Sequence, residues 1–260
     1  MPNFSWCNFA SFLLKMSNEP TSDADRATRS VQKPARMRTV RSFGASRGRI
    51  TRAQQNAYQN DFPRFAVPYQ MAKLDPIETF GRLAPVVLEI GFGMGETTAS
   101  IAQAHPQLDF LAIEVFEAGI GSLSRRLNQL GLGNVRIVQH DAVEVVRDML
   151  APGSLSGAHI YFPDPWPKAR HHKRRLVAPA FISELADRLR TGAHIHCATD
   201  WQDYAEQMLG VLSTQPCLRN LHPQYAPAPR NPLCERPSTR FHARGERLGH
   251  GVWDLVFLRT

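Results

Sequence analysis

Nowhere in the chain do apolar residues run together for the roughly 18 positions that a membrane-crossing helix needs, so no membrane-spanning helix is expected. The opening residues, MPNFSWCNFASFLLKM, are mildly apolar, but they have no basic leading segment and no small-residue cleavage site. No signal peptide is read there, and a cytoplasmic location is expected. Cysteine is scarce: Cys7, Cys197, Cys217 and Cys234 form no CxxC pair and no metal-ligand spacing. Free thiols in a reducing compartment are expected, and no metal. No GxxxxGK[ST] string occurs, which removes the P-loop nucleotide enzymes. Acidic residues are missing altogether between positions 26 and 52.

That last gap is filled with positive charge. Arg26, Arg29, Lys33, Arg36, Arg38, Arg41, Arg47, Arg49 and Arg52 account for the whole net charge of +8, and the rest of the chain sums to −1. A second concentration, Lys168, Arg170, His171, His172, Lys173, Arg174 and Arg175, stands inside the nearly neutral body. One charge run is ordinarily a solvated face; two of them, one fused to an unusual loop, point to a polyanion such as nucleic acid. Residues 1–40 lack apolar periodicity and read as a disordered basic tail, leaving residues 41–260 as one domain.

Within that domain, strand and helix patterns alternate. Apolar strands are expected at 86–90, 108–114, 134–141, 157–164 and 193–200, each followed by a helical pattern, with a short helix near 51–62 and a last, antiparallel strand at 251–258. Alternation at this spacing predicts an α/β fold with a mostly parallel, doubly wound sheet. The strands share a feature: a carboxylate stands at or near the end of each, namely Glu89, Glu114, Asp141, Asp164 and Asp200. Ligands of such sheets bind beyond the carboxyl ends of the strands, so these five acids are expected to ring one crevice. For Asp141 and Asp200 the plainer role is helix capping, and the two roles are compatible.

The segment EIGFGMG places Gly91, Gly93 and Gly95 in a turn after the first strand. The dinucleotide fingerprint GxGxxG is not met, and Glu89 and Glu96 bracket the turn, which repels a pyrophosphate. A ligand carrying an amine and a sulfonium tolerates both acids, and Glu114, 25 residues after Glu89, stands where a carboxylate grips ribose hydroxyls. S-adenosyl-L-methionine fits. Downstream, FPDPWPKARHHKRR sets Phe162, Asp164 and Trp166 each before a proline, which predicts extended geometry for all three and one shared face with Lys168. An aromatic plate beside a carboxylate suits an extruded base, and the basic block behind it suits phosphates. Rival readings are a methyltransferase for an exocyclic amine, disfavoured because no DPPY or NPPY string occurs, and a nucleic-acid-binding protein without catalysis.

From RSFGASRGRIT through LEIGFGMG, AIEVFEAG, FPDPWPKARHHKRR, ATDW and RPSTRFHARGERLGHGVWDL, the chain resembles the bacterial, single-subunit tRNA (guanine-N7-)-methyltransferases over residues 41 to 260. The resemblance implies a class I, Rossmann-like methyltransferase fold, S-adenosyl-L-methionine as donor, and as target the variable-loop guanine at tRNA position 46. No obligatory protein partner is implied. By position it implies cofactor contacts at Glu89, Gly91, Gly93, Gly95, Glu114 and Asp141, and a catalytic Asp164. It implies substrate contacts at Lys168, Asp200, Thr239, Arg240, Phe241 and His242, and RNA contacts at Arg170, His171, His172, Lys173, Arg174 and Arg175. The family's Thr-Lys-Phe-Glu reads Thr239-Arg240-Phe241-His242 here, so its acidic contact is missing; Glu246 is the substitute carboxylate nearby.

Overall fold

The structure, a computed structural model, describes residues 41–44, 49–227, 236–237 and 251–260. The basic tail and Thr239, Arg240, Phe241 and His242 lie outside the described residues. Seven strands form one sheet: β1 (Val86–Ile90), β2 (Asp109–Ile113), β3 (Val135–Val138), β4 (Leu155–Tyr161), β5 (Leu189–Thr199), β6 (Leu218–Asn220) and β7 (Trp253–Arg259). Their order across the sheet is β3-β2-β1-β4-β5-β7-β6. The first five are parallel; β7 runs antiparallel to both β5 and β6. The order reverses between β1 and β4, so a crevice opens at their carboxyl ends, the switch point of an open α/β sheet.

Alternation of side chains along the strands divides the core in two. Leu88, Ile90, Leu111, Ile113, Ala158, Ile160, Ile195, Cys197, Leu255 and Phe257 face one way, against α5 (Ala142–Asp148), α6 (Pro179–Arg188) and α7 (Gln202–Ser213). Val87, Phe110, Ala112, Val135 and Ile137 face the other, where α3 (Glu96–Ala104) and α4 (Glu117–Leu130) pack. Helix α1 (Arg52–Asn60) lies on α4, so close that a Cβ on Gly121 would stand 2.2 Å from the Gln54 carbonyl oxygen. A capping box between Thr51 and Gln54 begins α1, and left-handed Gly131 ends α4.

Two elements were not expected. The short α2 (Pro76–Phe80) is signalled by Asp75, whose carboxylate caps it, by Pro76 at its first position and by Gly81, which ends it. Strand β6 is three residues at the sheet edge, too short to show a period. Strand β4 stops at Tyr161, so Asp164 stands three residues beyond the strand rather than at its end.

Candidate active site

A cleft of about 620 Å³ opens at the switch point, within the range of nucleoside-sized sites. Its floor is the glycine turn. Gly91, Gly93 and Gly95 all have positive φ (75°, 57° and 70°), which only glycine adopts cheaply. A Cβ at Gly91 or Gly93 would meet nothing within 4 Å, whereas one at Gly95 would strike Leu123 at 2.5 Å. The first two therefore leave room for a ligand, and the third lets α3 pack against α4.

The acids of the cleft differ in condition. Glu89 points to the Val87 side of the sheet, is 2% exposed, and its Oε2 has no hydrogen-bond partner. Burial pushes its carboxyl up to about 7. A buried carboxylate oxygen without a partner among the described residues is costly, and a ligand bringing a cationic amine would satisfy it. Glu114, just past β2, is already engaged: its Oε2 accepts from the Gly93 N–H at 3.0 Å, and its Oε1 from the N–H groups of Val115 and Phe116 at 2.7 and 3.2 Å. Burial still holds its carboxyl above the usual range against those three bonds. Glu114 thus braces the glycine turn and keeps lone-pair capacity for a hydroxyl.

Asp141 and Asp200 do not line the cleft. The Asp141 carboxylate caps α5, accepting from the Val143 N–H at 2.9 Å, while its neighbours His140 and Ala142 form the wall. His140 went unnoticed in the sequence; its ring stacks on Tyr69 with centroids 3.7 Å apart, and its Nε2 stands 2.5 Å from Glu144 Oε2. Asp200 follows β5 and does not cap α7, whose N-cap is Trp201 without a side-chain bond.

The proline loop corrects an expectation. Phe162 and Trp166 are not extended: their φ values are 51° and 45°, the left-handed region that costs a non-glycine residue on the order of 1–3 kcal/mol. Local proline stiffness is overruled by tertiary contacts. The Phe162 N–H donates to the Ala198 carbonyl at 2.7 Å, the Trp166 Nε1–H donates to the Ser42 carbonyl at 2.9 Å, and the Arg174 guanidinium lies 3.7 Å above the Trp166 ring. Asp164, between the two corners, is exposed and lines the cleft. Its Oδ2 accepts from the Gly44 N–H at 3.0 Å.

Residues 41–44 are thereby strapped across the loop. Arg174 Nε and Nη2 donate to the carbonyls of Arg41 and Phe43 at 3.1 and 3.0 Å, and Ser42, Phe43 and Gly44 line the cleft. A sequence scan assigns this segment charge but no place, because its partners lie more than 100 residues away.

Residues Ala169–Arg174 form a 3₁₀ turn, in which side chains three apart eclipse. That period sorts the basic block into three rows. Arg170 and Lys173, with Lys168 before them, are exposed. His171 and Arg174 face Trp166, the His171 ring edge-on at 6.0 Å. Arg175, expected on RNA, is only 3% exposed. Its guanidinium donates to the Pro165 carbonyl at 2.8 Å, to Gln207 Oε1 at 2.6 Å and to Asp203, over the ring of Tyr204. It ties the loop to α7 and is spent; a buried guanidinium must be paired internally. His172, in the same row, stands 3.8 Å from the same Asp203 carboxylate.

Residues 83–255 match the family model described as "Putative methyltransferase". The tRNA (guanine-N(7)-)-methyltransferase of Bordetella parapertussis is 58% identical over 221 residues, covering 85% of each chain. That of Burkholderia thailandensis is 55% identical over 239 residues, covering 91% of this chain and 89% of its own. Among solved structures, the 16S rRNA methyltransferase KamB superposes with a TM-score of 0.53 at 16% identity, over 74% of this chain and 96% of that one, a likeness of fold. The resemblance carried by the glycine turn and the proline loop is thus borne out over most of the chain's length, and the chain belongs to the tRNA (guanine-N(7)-)-methyltransferase family.

Proposed function

We propose that the chain methylates N7 of a tRNA guanine, at variable-loop position 46, in the cytoplasm and without an obligatory protein partner. The observation that carries the reading is the pairing, in one cleft, of a buried carboxylate at Glu89, one oxygen of which has no partner among the described residues, with an exposed carboxylate at Asp164. The first suits the cationic end of S-adenosyl-L-methionine; the second suits the hydrogen-bonding edge of a guanine.

Glu89, Glu114 and the turn of Gly91, Gly93 and Gly95 would hold the donor, with Asp141 acting behind the wall by capping α5 and so fixing its neighbours His140 and Ala142. The donor supplies a sulfonium-activated methyl group. Guanine N7 carries a lone pair and no proton, so the chain needs no strong base. Its tasks are alignment and the stabilisation of positive charge that grows on the ring. Asp164 meets the second task by accepting hydrogen bonds from the N1–H and N2–H edge, bonds that strengthen as the ring becomes cationic. The Gly44 N–H occupies Oδ2, which leaves Oδ1 and the remaining lone pairs for the base. Lys168, Asp200 and the stretch Thr239, Arg240, Phe241 and His242 complete the substrate contacts. Arg170 and Lys173 take the phosphates, positioning the RNA without reading its sequence.

Purified protein incubated with unmodified tRNA and methyl-labelled donor, followed by mild alkali and aniline, tests this. N7 methylation labilises the glycosidic bond, so a single cut in the variable loop is expected. Label incorporated without a cut places the methyl group on another atom and defeats the proposal.

A further inference from the structure

Arg236 is the largest fully buried side chain among the described residues, and neither the cofactor nor the RNA accounts for it. Its Nε and Nη2 donate to the two oxygens of Asp254 on β7, at 3.0 and 2.7 Å. Asp254 also accepts from His196 Nε2 on the facing strand β5, at 2.7 Å, and His196 Nδ1 lies 3.2 Å from the Tyr161 hydroxyl. On its other side the guanidinium carbon stands 5.3 Å from the Phe162 ring centroid and 5.8 Å from that of Tyr161. Among the described residues, Nη1 has no hydrogen-bond partner. Tyr161, Phe162 and Pro237 are themselves wall residues of the cleft.

A buried ion pair of this kind returns little net stability, since its desolvation cost offsets most of the attraction, and a well-packed apolar pair often serves as well. What the guanidinium does supply is a rigid planar fork that takes a carboxylate on one edge and aromatic rings on its face. The residue it packs on is Phe162, held at φ 51° two positions before Asp164. Left-handed geometry at a non-glycine residue persists only where its surroundings over-determine it.

We propose that Arg236 is a positioning residue for methyl transfer: gripping Asp254 and packing on Phe162 and Tyr161, it holds the left-handed corner that aims Asp164 into the cleft. The assignment rests on the reading of Asp164 given above. It places the functional weight of the RPSTRF segment on its first residue as well as on the downstream substrate contacts.

The test measures Arg236→Met and Arg236→Lys at saturating tRNA and donor, with rates expressed per molecule able to bind S-adenosyl-L-methionine by calorimetry. Both variants are expected to lose at least 20-fold in kcat while the donor dissociation constant stays within twofold of the parent. Lysine does not rescue, because it keeps the charge and loses the fork. A merely structural role lowers the melting temperature and leaves kcat per binding-competent molecule unchanged, and that result overturns the proposal. Glycine adopts φ 51° without strain, so a Phe162→Gly background carries the assignment independently of Arg236→Met folding. There, adding Arg236→Lys is expected to change kcat less than twofold; a full additional loss overturns the proposal. A parent chain that leaves tRNA unmethylated defeats the functional reading instead, whereas a variant matching an active parent defeats the Arg236 assignment alone.

Discussion

Asp164 and Glu89 are both acids of one cleft, and burial gives them opposite work. Asp164 is exposed, and under the proposed function its bonds to the base strengthen in the transition state only. Asp164→Asn is expected to lower kcat by about 10²–10³-fold, the usual cost of one such group, with donor affinity unchanged by calorimetry. A parental kcat would remove Asp164 from the mechanism. Glu89 is buried, and its carboxyl is raised from 4.5 to about 7, so the folded chain binds more protons than the unfolded one between those values. Stability from this group is full below the lower value and falls as pH rises through the window, by at most about 3 kcal/mol. Glu89→Gln is therefore expected to gain in melting temperature over the parent between pH 5 and 8. In the same variant, donor affinity should lose its rise through neutral pH. Equal thermal profiles for the two chains would show that the carboxyl titrates normally. Both acids were legible because parallel strands gather their carboxyl ends; the difference between them was not, since burial is set by neighbours distant in sequence.

The 3₁₀ turn at Ala169–Arg174 turns seven near-consecutive basic positions into rows with different fates. Arg170→Gln with Lys173→Gln is expected to lower the slope of log K against log salt for tRNA by about 1.5, two phosphate contacts' worth. Arg175→Gln should leave that slope alone and cost on the order of 1–2 kcal/mol in denaturant unfolding, because it removes the hydrogen bonds to the Pro165 carbonyl and Gln207, while the exposed Asp203 is resolvated by water. A reversed pattern would put Arg175 back on the RNA. Above the turn, Trp166 holds the strap at residues 41–44 by one N–H bond, at 2.9 Å to Ser42. Trp166→Phe removes about 1 kcal/mol from that closure, and tryptic cleavage after Arg41 is expected to quicken about fivefold. Periodicity in the sequence could not sort the row members, because three-residue eclipsing belongs to a turn whose ends are tied by Trp166 and α7.

Across the whole molecule, positive charge is divided between the tail with its strap and the turn after β4, while residues 53–167 between them hold seven basic and twelve acidic side chains, a net charge of −5. Deleting residues 1–39 removes five of the nine cations of the first block and none of the described cleft. The expected outcome is an unchanged kcat at saturating tRNA and a salt slope shallower by as much as about 4; a collapse of kcat would place the tail in the site itself. The mostly parallel sheet, the crevice and the glycine turn follow from the spacing of apolar runs and from three glycines, because hydrophobic periodicity and backbone freedom are local properties that the chain carries wherever it folds. The left-handed corners at Phe162 and Trp166, the internal use of Arg175 and the burial of Arg236 have another origin. Each depends on a hydrogen bond, ion pair or ring contact with residues 18 or more positions away, and such contacts overrule proline's local preference and a cation's preference for water only once the sheet has brought them together.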